Sequence, residues 1–224
     1  MTVSRQSRTT LAYVAPFGVY VASMGLERLL GIDGGWLYAL RCSLTLAAIL
    51  VFSRRTVSFT ALNPISSAAV GLLVFILWVA PDQLWNIRHH WLFENALTGA
   101  AVSSIPIELR RNVAFLILRV GGSALLVPII EELFWRAWLM RWMISEHIET
   151  VPLGTYRRLA FWVTAALFAA EHGPYWEVGL VAGIVYNWWM VRTRSLGDCI
   201  LAHAVTNLAL GLYVIGSGQW QYWL

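Results

Sequence analysis

The stretch VPIIEELFWRAW, residues 127–138, sets two consecutive glutamates, Glu131 and Glu132, and an arginine, Arg136, inside one of the most apolar parts of the chain. A charged side chain at mid-bilayer costs on the order of 2.5–3.5 kcal/mol even on lenient insertion scales, so three together need a compensating role. Composition decides that a bilayer is the right medium. The 224 residues are 58% hydrophobic and 12% charged, with a mean hydropathy of +0.63, whereas a soluble domain carries roughly a quarter charged residues.

Working outward from this stretch, apolar runs cover residues 11–30, 36–52, 65–80, 112–142, 159–170, 179–191 and 200–215. In lipid, helices satisfy their own backbone, and a span takes about 20 residues. The fold class expected is therefore all-α, a polytopic transmembrane helix bundle of seven or eight spans. Residues 1–111 read as N-terminal transmembrane helices with an interfacial segment, and residues 112–224 as a helical core of the same integral membrane unit. The fourth run overshoots the hydrocarbon core and must tilt, protrude or break, most easily at Gly121-Gly122 or Pro128.

The net charge of +4 and pI near 9.4 come from small basic groups at the ends of apolar runs: Arg5 and Arg8, Arg54 and Arg55, Arg157 and Arg158, Arg192 and Arg194. This is the positive-inside pattern of a multi-pass protein of the cell inner (plasma) membrane, not a nucleic-acid footprint. The expected partner at this level is the bilayer, with no nucleic acid. Cys42 and Cys199 belong to no paired motif, which argues against a zinc knuckle or a disulfide framework. The first apolar run lacks a persuasive cleavage site and reads as an uncleaved first helix. The long polar connection, residues 81–111, carries Trp85, Trp91 and Phe93 among charges and has the character of an interfacial segment. Arg41, Arg119 and the Glu27-Arg28 pair show no convergent partners and read as snorkelling or interfacial.

Three constellations hold polar residues where lipid disfavours them. In Glu131-Glu132-x-x-x-Arg136, Glu132 and Arg136 are four apart and share a helix face, so they can pair. Glu131 points about 100° away, and a carboxyl without a local partner in a low-dielectric cavity is the usual preparation of a general base or acid. In Phe168-Ala169-Ala170-Glu171-His172, Phe168 and His172 share a face, and Gly173-Pro174 ends the helix just past an imidazole able to shuttle protons. In His203-Ala204-Val205-Thr206-Asn207, two neutral donors converge from one helix face and can hold a developing oxyanion. No serine or cysteine stands at a comparable position, so water is the nucleophile indicated. Singly, each motif also fits a plain interhelical lock or hydrogen bond; three in order weaken that reading.

Glu-Glu-x-x-x-Arg, Phe-x-x-x-His and His-x-x-x-Asn on successive membrane helices resemble the CPBP (CAAX protease and bacteriocin-processing, Abi) family of intramembrane glutamate proteases, which includes the Rce1-type CAAX prenyl proteases. Ala182-Gly183, Arg192-Thr193-Arg194-Ser195-Leu196 and Ile200-Leu201-Ala202-His203 extend the likeness over about residues 127–210. The length and the Trp-Arg form of the first motif also resemble the bacterial CAAX-protease-related proteins associated with exosortase systems.

The resemblance implies an intramembrane endopeptidase, with residues 112–224 as its catalytic core and a membrane-associated protein or peptide as its substrate, in which Glu131 and His172 activate water, His203 and Asn207 stabilise the oxyanion, and Glu132, Arg136 and Phe168 order the site, with no cofactor. Two departures stand out: Asp198-Cys199 precedes the last motif where the family more often has an aromatic or small residue and a proline, and Glu171 adds a charge beside His172. Two alternatives remain open. Glu131, His172 and His203 would suffice for a catalytic zinc, although no H-E-x-x-H is present, and a non-catalytic scaffold or self-immunity protein could retain the same residues.

Overall fold

A computed structural model of the chain describes residues 5–30, 34–55 and 60–224. The side chains of Arg5 and Arg8, the first basic group, fall outside that description. Seven helices coincide with the seven apolar runs: α1 (Arg5–Leu30), α2 (Gly35–Ser53), α3 (Pro64–Trp85), α4 (Val113–Trp142), α5 (Arg158–Ala170), α6 (Trp176–Thr193) and α7 (Leu196–Ser217). Thr9–Leu30 of α1 and all of α2, α3, α4 and α7 are long and apolar enough to cross a membrane. Helix α5 is apolar but has only 13 residues, and α6 is diluted by Glu177, Asn187 and Arg192. The described residues form an all-α bundle of a multi-pass membrane protein, with one isolated bridge, Asn95 to Gly99, as its only β pairing.

Helix α4 does not break at Gly121-Gly122 or Pro128. It stays continuous and widens into π-helical turns at Gly122–Leu126 and Leu133–Leu139. Proline has no N–H to close the α ladder behind it, and a π-turn absorbs that loss without ending the helix.

The most extensive packing joins α3 to α7 and α5 to α6. Gly71 makes the first close approach possible, because a Cβ there would land on the Ala202 carbonyl oxygen. Gly183 does the same for α5 and α6, since its Cβ would meet Ala165 Cα and O at 3.1 Å. The entry to α7 is set by the departure at Asp198. Ser195 caps the helix through Asp198 N (3.2 Å), while the buried Asp198 carboxylate accepts from Asn63 N (2.7 Å) and Asn63 Nδ2 (2.8 Å) at the start of α3. One acidic residue thus ties two helix N-termini together.

Helix α3 runs through Pro81 to Trp85, and the connection that follows is anchored rather than loose. Buried Arg88 pairs with Asp82 and Glu177, both at 2.7 Å, and lies 4.1 Å from the Tyr175 ring centroid, joining the end of α3 to the start of α6. Trp85 and Trp91 are exposed, and Phe93 stacks on Trp176. One sequence expectation fails near the other helix pair: Arg41 and Glu27 do converge, through Arg41 Nε to Glu27 Oε1 at 3.1 Å and a second short contact from Nη2. Their separation across the α1–α2 turn hides the pairing from any single-helix periodicity.

Candidate active site

The electrostatic centre of the site is the pair predicted from four-residue spacing. Arg136 Nη1 donates to Glu132 Oε1 at 2.9 Å, and both side chains are 0% exposed. Burial of this pair is supported by further partners, as a buried ion pair requires. Arg136 Nε donates to Asn187 Oδ1 (3.1 Å), and Asn187 Nδ2 donates in turn to the Phe161 carbonyl (2.8 Å). The guanidinium also sits over the rings of Phe168 (4.4 Å) and Tyr186 (5.3 Å).

Glu132 Oε1 accepts a second hydrogen bond, from His203 Nδ1 at 2.9 Å. A carboxylate already paired with arginine can only accept, so Nδ1 carries the proton and the other ring nitrogen, Nε2, faces Glu131, with 4.0 Å to its Oε2. A neutral His203 therefore presents a lone pair to the cavity. The expectation of two neutral donors needs correction: only the imidazolium form of His203 donates from Nε2. Tyr186 stacks on the His203 ring (centroids 5.0 Å, planes 23° apart), and its hydroxyl donates to Thr206 Oγ1 at 2.7 Å.

His172 follows the same logic. Its Nδ1 lies 2.7 Å from the Phe168 carbonyl oxygen, which can only accept, so Nε2 of the neutral ring is left as an acceptor. Phe168 lies between the two histidines, 4.7 Å from the His172 centroid and 6.2 Å from that of His203.

Asn207 is oriented by a consequence of Pro128. In the π-turn, Val127 N–H bonds to the Gly122 carbonyl. The next N–H in that register would serve Ser123, but residue 128 is proline and has none. The Ser123 carbonyl is thereby free to accept from Asn207 Nδ2, at 2.8 Å, which leaves the second amide N–H of Asn207 uncommitted. Glu171 is held by Trp135 Nε1 (3.0 Å) and makes no bond to its neighbour His172.

Glu131, His172, His203 and Asn207 all line one cavity of about 560 Å³. Glu131 Oε2 is buried and has no hydrogen-bond partner among the described residues. Helix α1 and helix α3 complete the wall through residues such as Tyr20 and Trp78. Asn187, Tyr186, Thr206 and Ser123 escaped the sequence reading. The signal available was polar groups inside apolar helices, which the motif spacing did not include.

Fold and site together define a polytopic helical membrane protein with a chamber of carboxyls, imidazoles and an amide among its later helices. Residues 110–209 match the family described as Rce1-like, the type II CAAX prenyl endopeptidases, which supports the Rce1-type resemblance read from the motifs. At family level the activity is that of a CAAX-protease-type hydrolase. The matched region begins upstream of the motifs and takes in the first half of α4. No curated protein and no solved structure matches the chain.

Proposed function

We propose that the protein is an intramembrane endopeptidase that hydrolyses a peptide bond of a membrane-associated protein or peptide with water activated by Glu131 and His172. The observation that carries this reading is the bare Nε2 of His172 on the same cavity as the Glu131 carboxyl, whose Oε2 makes no hydrogen bond. Both are acceptors aimed at a space of molecular size, which is what activation of a water requires.

In this reading Glu131 orients the water through one hydrogen while His172 Nε2 takes the other proton. The water oxygen bonds to the scissile carbonyl carbon, and the carbonyl electron pair moves onto its oxygen. That oxyanion meets the free Asn207 N–H and, when His203 is protonated, its Nε2–H, with Glu132 bracing the imidazolium through Nδ1. Collapse breaks the C–N bond, and the proton held by His172 passes to the departing nitrogen. Arg136, Glu132 and Phe168 position these groups without touching substrate. No set of three His, Cys, Asp or Glu side chains among the described residues is arranged to hold a metal, and the proposal assigns none. Residues 112–224 supply all four reacting groups, with helices of the N-terminal part walling the chamber.

The test is cleavage of a library of membrane-anchored peptides by purified protein in detergent. Loss of cleavage in both Glu131→Gln and His172→Ala is the expected result; cleavage surviving either substitution overturns the mechanism.

A further inference from the structure

Among the described residues, the guanidiniums buried or half-buried within the membrane-spanning helices and their connections are matched by a carboxylate or by backbone carbonyls, as Arg110 is by the Ile105 carbonyl at 3.1 Å, with Arg119 the exception. Arg41 pairs with Glu27, Arg88 with Asp82 and Glu177, and Arg136 with Glu132. Arg141 donates to the Ile148 and Val151 carbonyls at 3.2 and 3.3 Å. Arg119, half-buried in the membrane-spanning α4, has no carboxylate within ion-pair distance among the described residues. Its guanidinium donates one hydrogen bond, from Nη1 to the Tyr38 hydroxyl at 3.4 Å, and rests against the rings of Tyr38 (5.0 Å) and Trp223 (5.4 Å). An intramembrane charge without a partner is a functional group by default, because lipid offers nothing to offset it.

Its position says what it serves. Arg119 lines the catalytic cavity and also a second cavity of about 300 Å³, so it stands where the two adjoin. The second cavity is also lined by Glu27, Arg28, Arg41 and Leu224; with Glu27 matched to Arg41, Arg28 and Arg119 are its side-chain charges without a carboxylate side chain beside them. The catalytic cavity is also lined by Glu131 and Glu171, and Glu131 lies twelve positions beyond Arg119 on the same helix. The chamber is therefore polarised, and a peptide in it would be oriented with its anionic end at Arg119.

We propose that Arg119 binds a carboxylate of the substrate peptide, holding it at the end of the cavity away from Glu131 and so setting which bond reaches the water. A planar guanidinium with four uncommitted N–H groups matches a carboxylate in two-point contact. Arg119 and Glu131 are twelve positions apart on one helix, a rise of roughly 18 Å, which about five extended residues span. The bound carboxylate and the scissile bond thus lie within about five residues of each other. This inference rests on the endopeptidase reading above.

The experiment uses three myristoylated apolar decapeptides: one ending in a free carboxylate, its C-terminal amide, and the amide with aspartate as last residue. Binding to the Glu131→Gln protein in nanodiscs and cleavage by the wild type are both measured. Expected is at least about tenfold tighter binding and lower KM for the acid than for the amide, a preference erased in Arg119→Gln and reduced but present in Arg119→Lys, which keeps the charge and loses the two-point geometry. Restored binding by the aspartyl amide assigns the carboxylate to a side chain; its failure assigns it to the chain end. Equal binding of acid and amide to Arg119-containing protein overturns the proposal without needing any variant to fold, as does a preference that survives Arg119→Gln in protein of unchanged melting temperature. Acid-selective binding without cleavage by the wild type would instead overturn the endopeptidase reading and leave the anchor standing.

Discussion

His172 Nδ1 lies 2.7 Å from the carbonyl oxygen of Phe168, one helical turn below it. The carbonyl fixes the tautomer, so the proton-accepting nitrogen is the one on the cavity. General base catalysis by a positioned side chain typically contributes about 10²–10⁴-fold. His172→Ala is expected to lower kcat by that order with KM changed little, in a cleavage assay on the same membrane-anchored peptides. An equal loss carried by KM alone would show that His172 binds substrate rather than activating water.

The two adjacent glutamates are expected to separate cleanly by stability. Glu132 and Arg136 are both fully buried and paired, and removing one partner of such a pair costs about 3–5 kcal/mol. Glu132→Ala should therefore lower the melting temperature in detergent sharply, while Glu131→Gln, which changes a carboxyl whose buried Oε2 makes no hydrogen bond, should melt at or above the wild-type temperature and still lose cleavage. Two variants melting alike would mean that Glu131 has a structural partner after all.

Chelation gives a third outcome. Dialysis against phenanthroline or EDTA is expected to leave the cleavage rate unchanged, with no stoichiometric zinc in elemental analysis of the active protein. Inhibition reversed by added metal would replace the water-only mechanism with a metal-assisted one at the same residues.

Local periodicity carried much of the site. Glu132 and Arg136 lie four apart on one turn of α4, and their pairing follows from helix geometry before any tertiary contact is known. The seven apolar runs likewise map onto seven helices because span length and hydropathy are local properties. What local pattern could not show are contacts between distant segments: Asp198 on Asn63, Arg41 on Glu27, Arg136 on Asn187. Nor does the sequence announce a π-turn, since its residues keep α-like backbone angles and differ only in which carbonyl each N–H reaches. The tautomer of His203 was hidden for the same reason, because it depends on Glu132 from another helix.

Gly71 offers a packing test remote from the chemistry. A methyl group there would meet the Ala202 carbonyl and, at 2.9 Å, the Val205 Cβ, forcing α3 away from α7 one residue before His203. Overpacking of this kind costs typically 1–3 kcal/mol. Gly71→Ala is expected to lower the melting temperature and to reduce cleavage by disturbing the Thr206 hydroxyl, which lies 2.8 Å from the Gly71 carbonyl. Unchanged melting would mean that the helices part without penalty.

Pro128→Ala tests whether the π-turn exists for catalysis. Proline inside a helix is about 3 kcal/mol less favourable than alanine, so the substitution by itself should stabilise. It also restores an N–H that can reach back toward the Ser123 carbonyl, the acceptor now taken by Asn207 at 2.8 Å. With two donors competing for it, Asn207 loses its fixed orientation and the free amide N–H no longer points reliably at the oxyanion. Loss of one oxyanion donor costs about 10²–10³ in kcat; partial misorientation should cost about tenfold or more within that ceiling. The expected variant is therefore more stable and less active, with KM nearly unchanged. Asn207→Ala should be as slow or slower, and combining the two should add little, since both act through the same N–H. A Pro128→Ala protein with wild-type kcat would show that Asn207 is positioned by something other than this carbonyl.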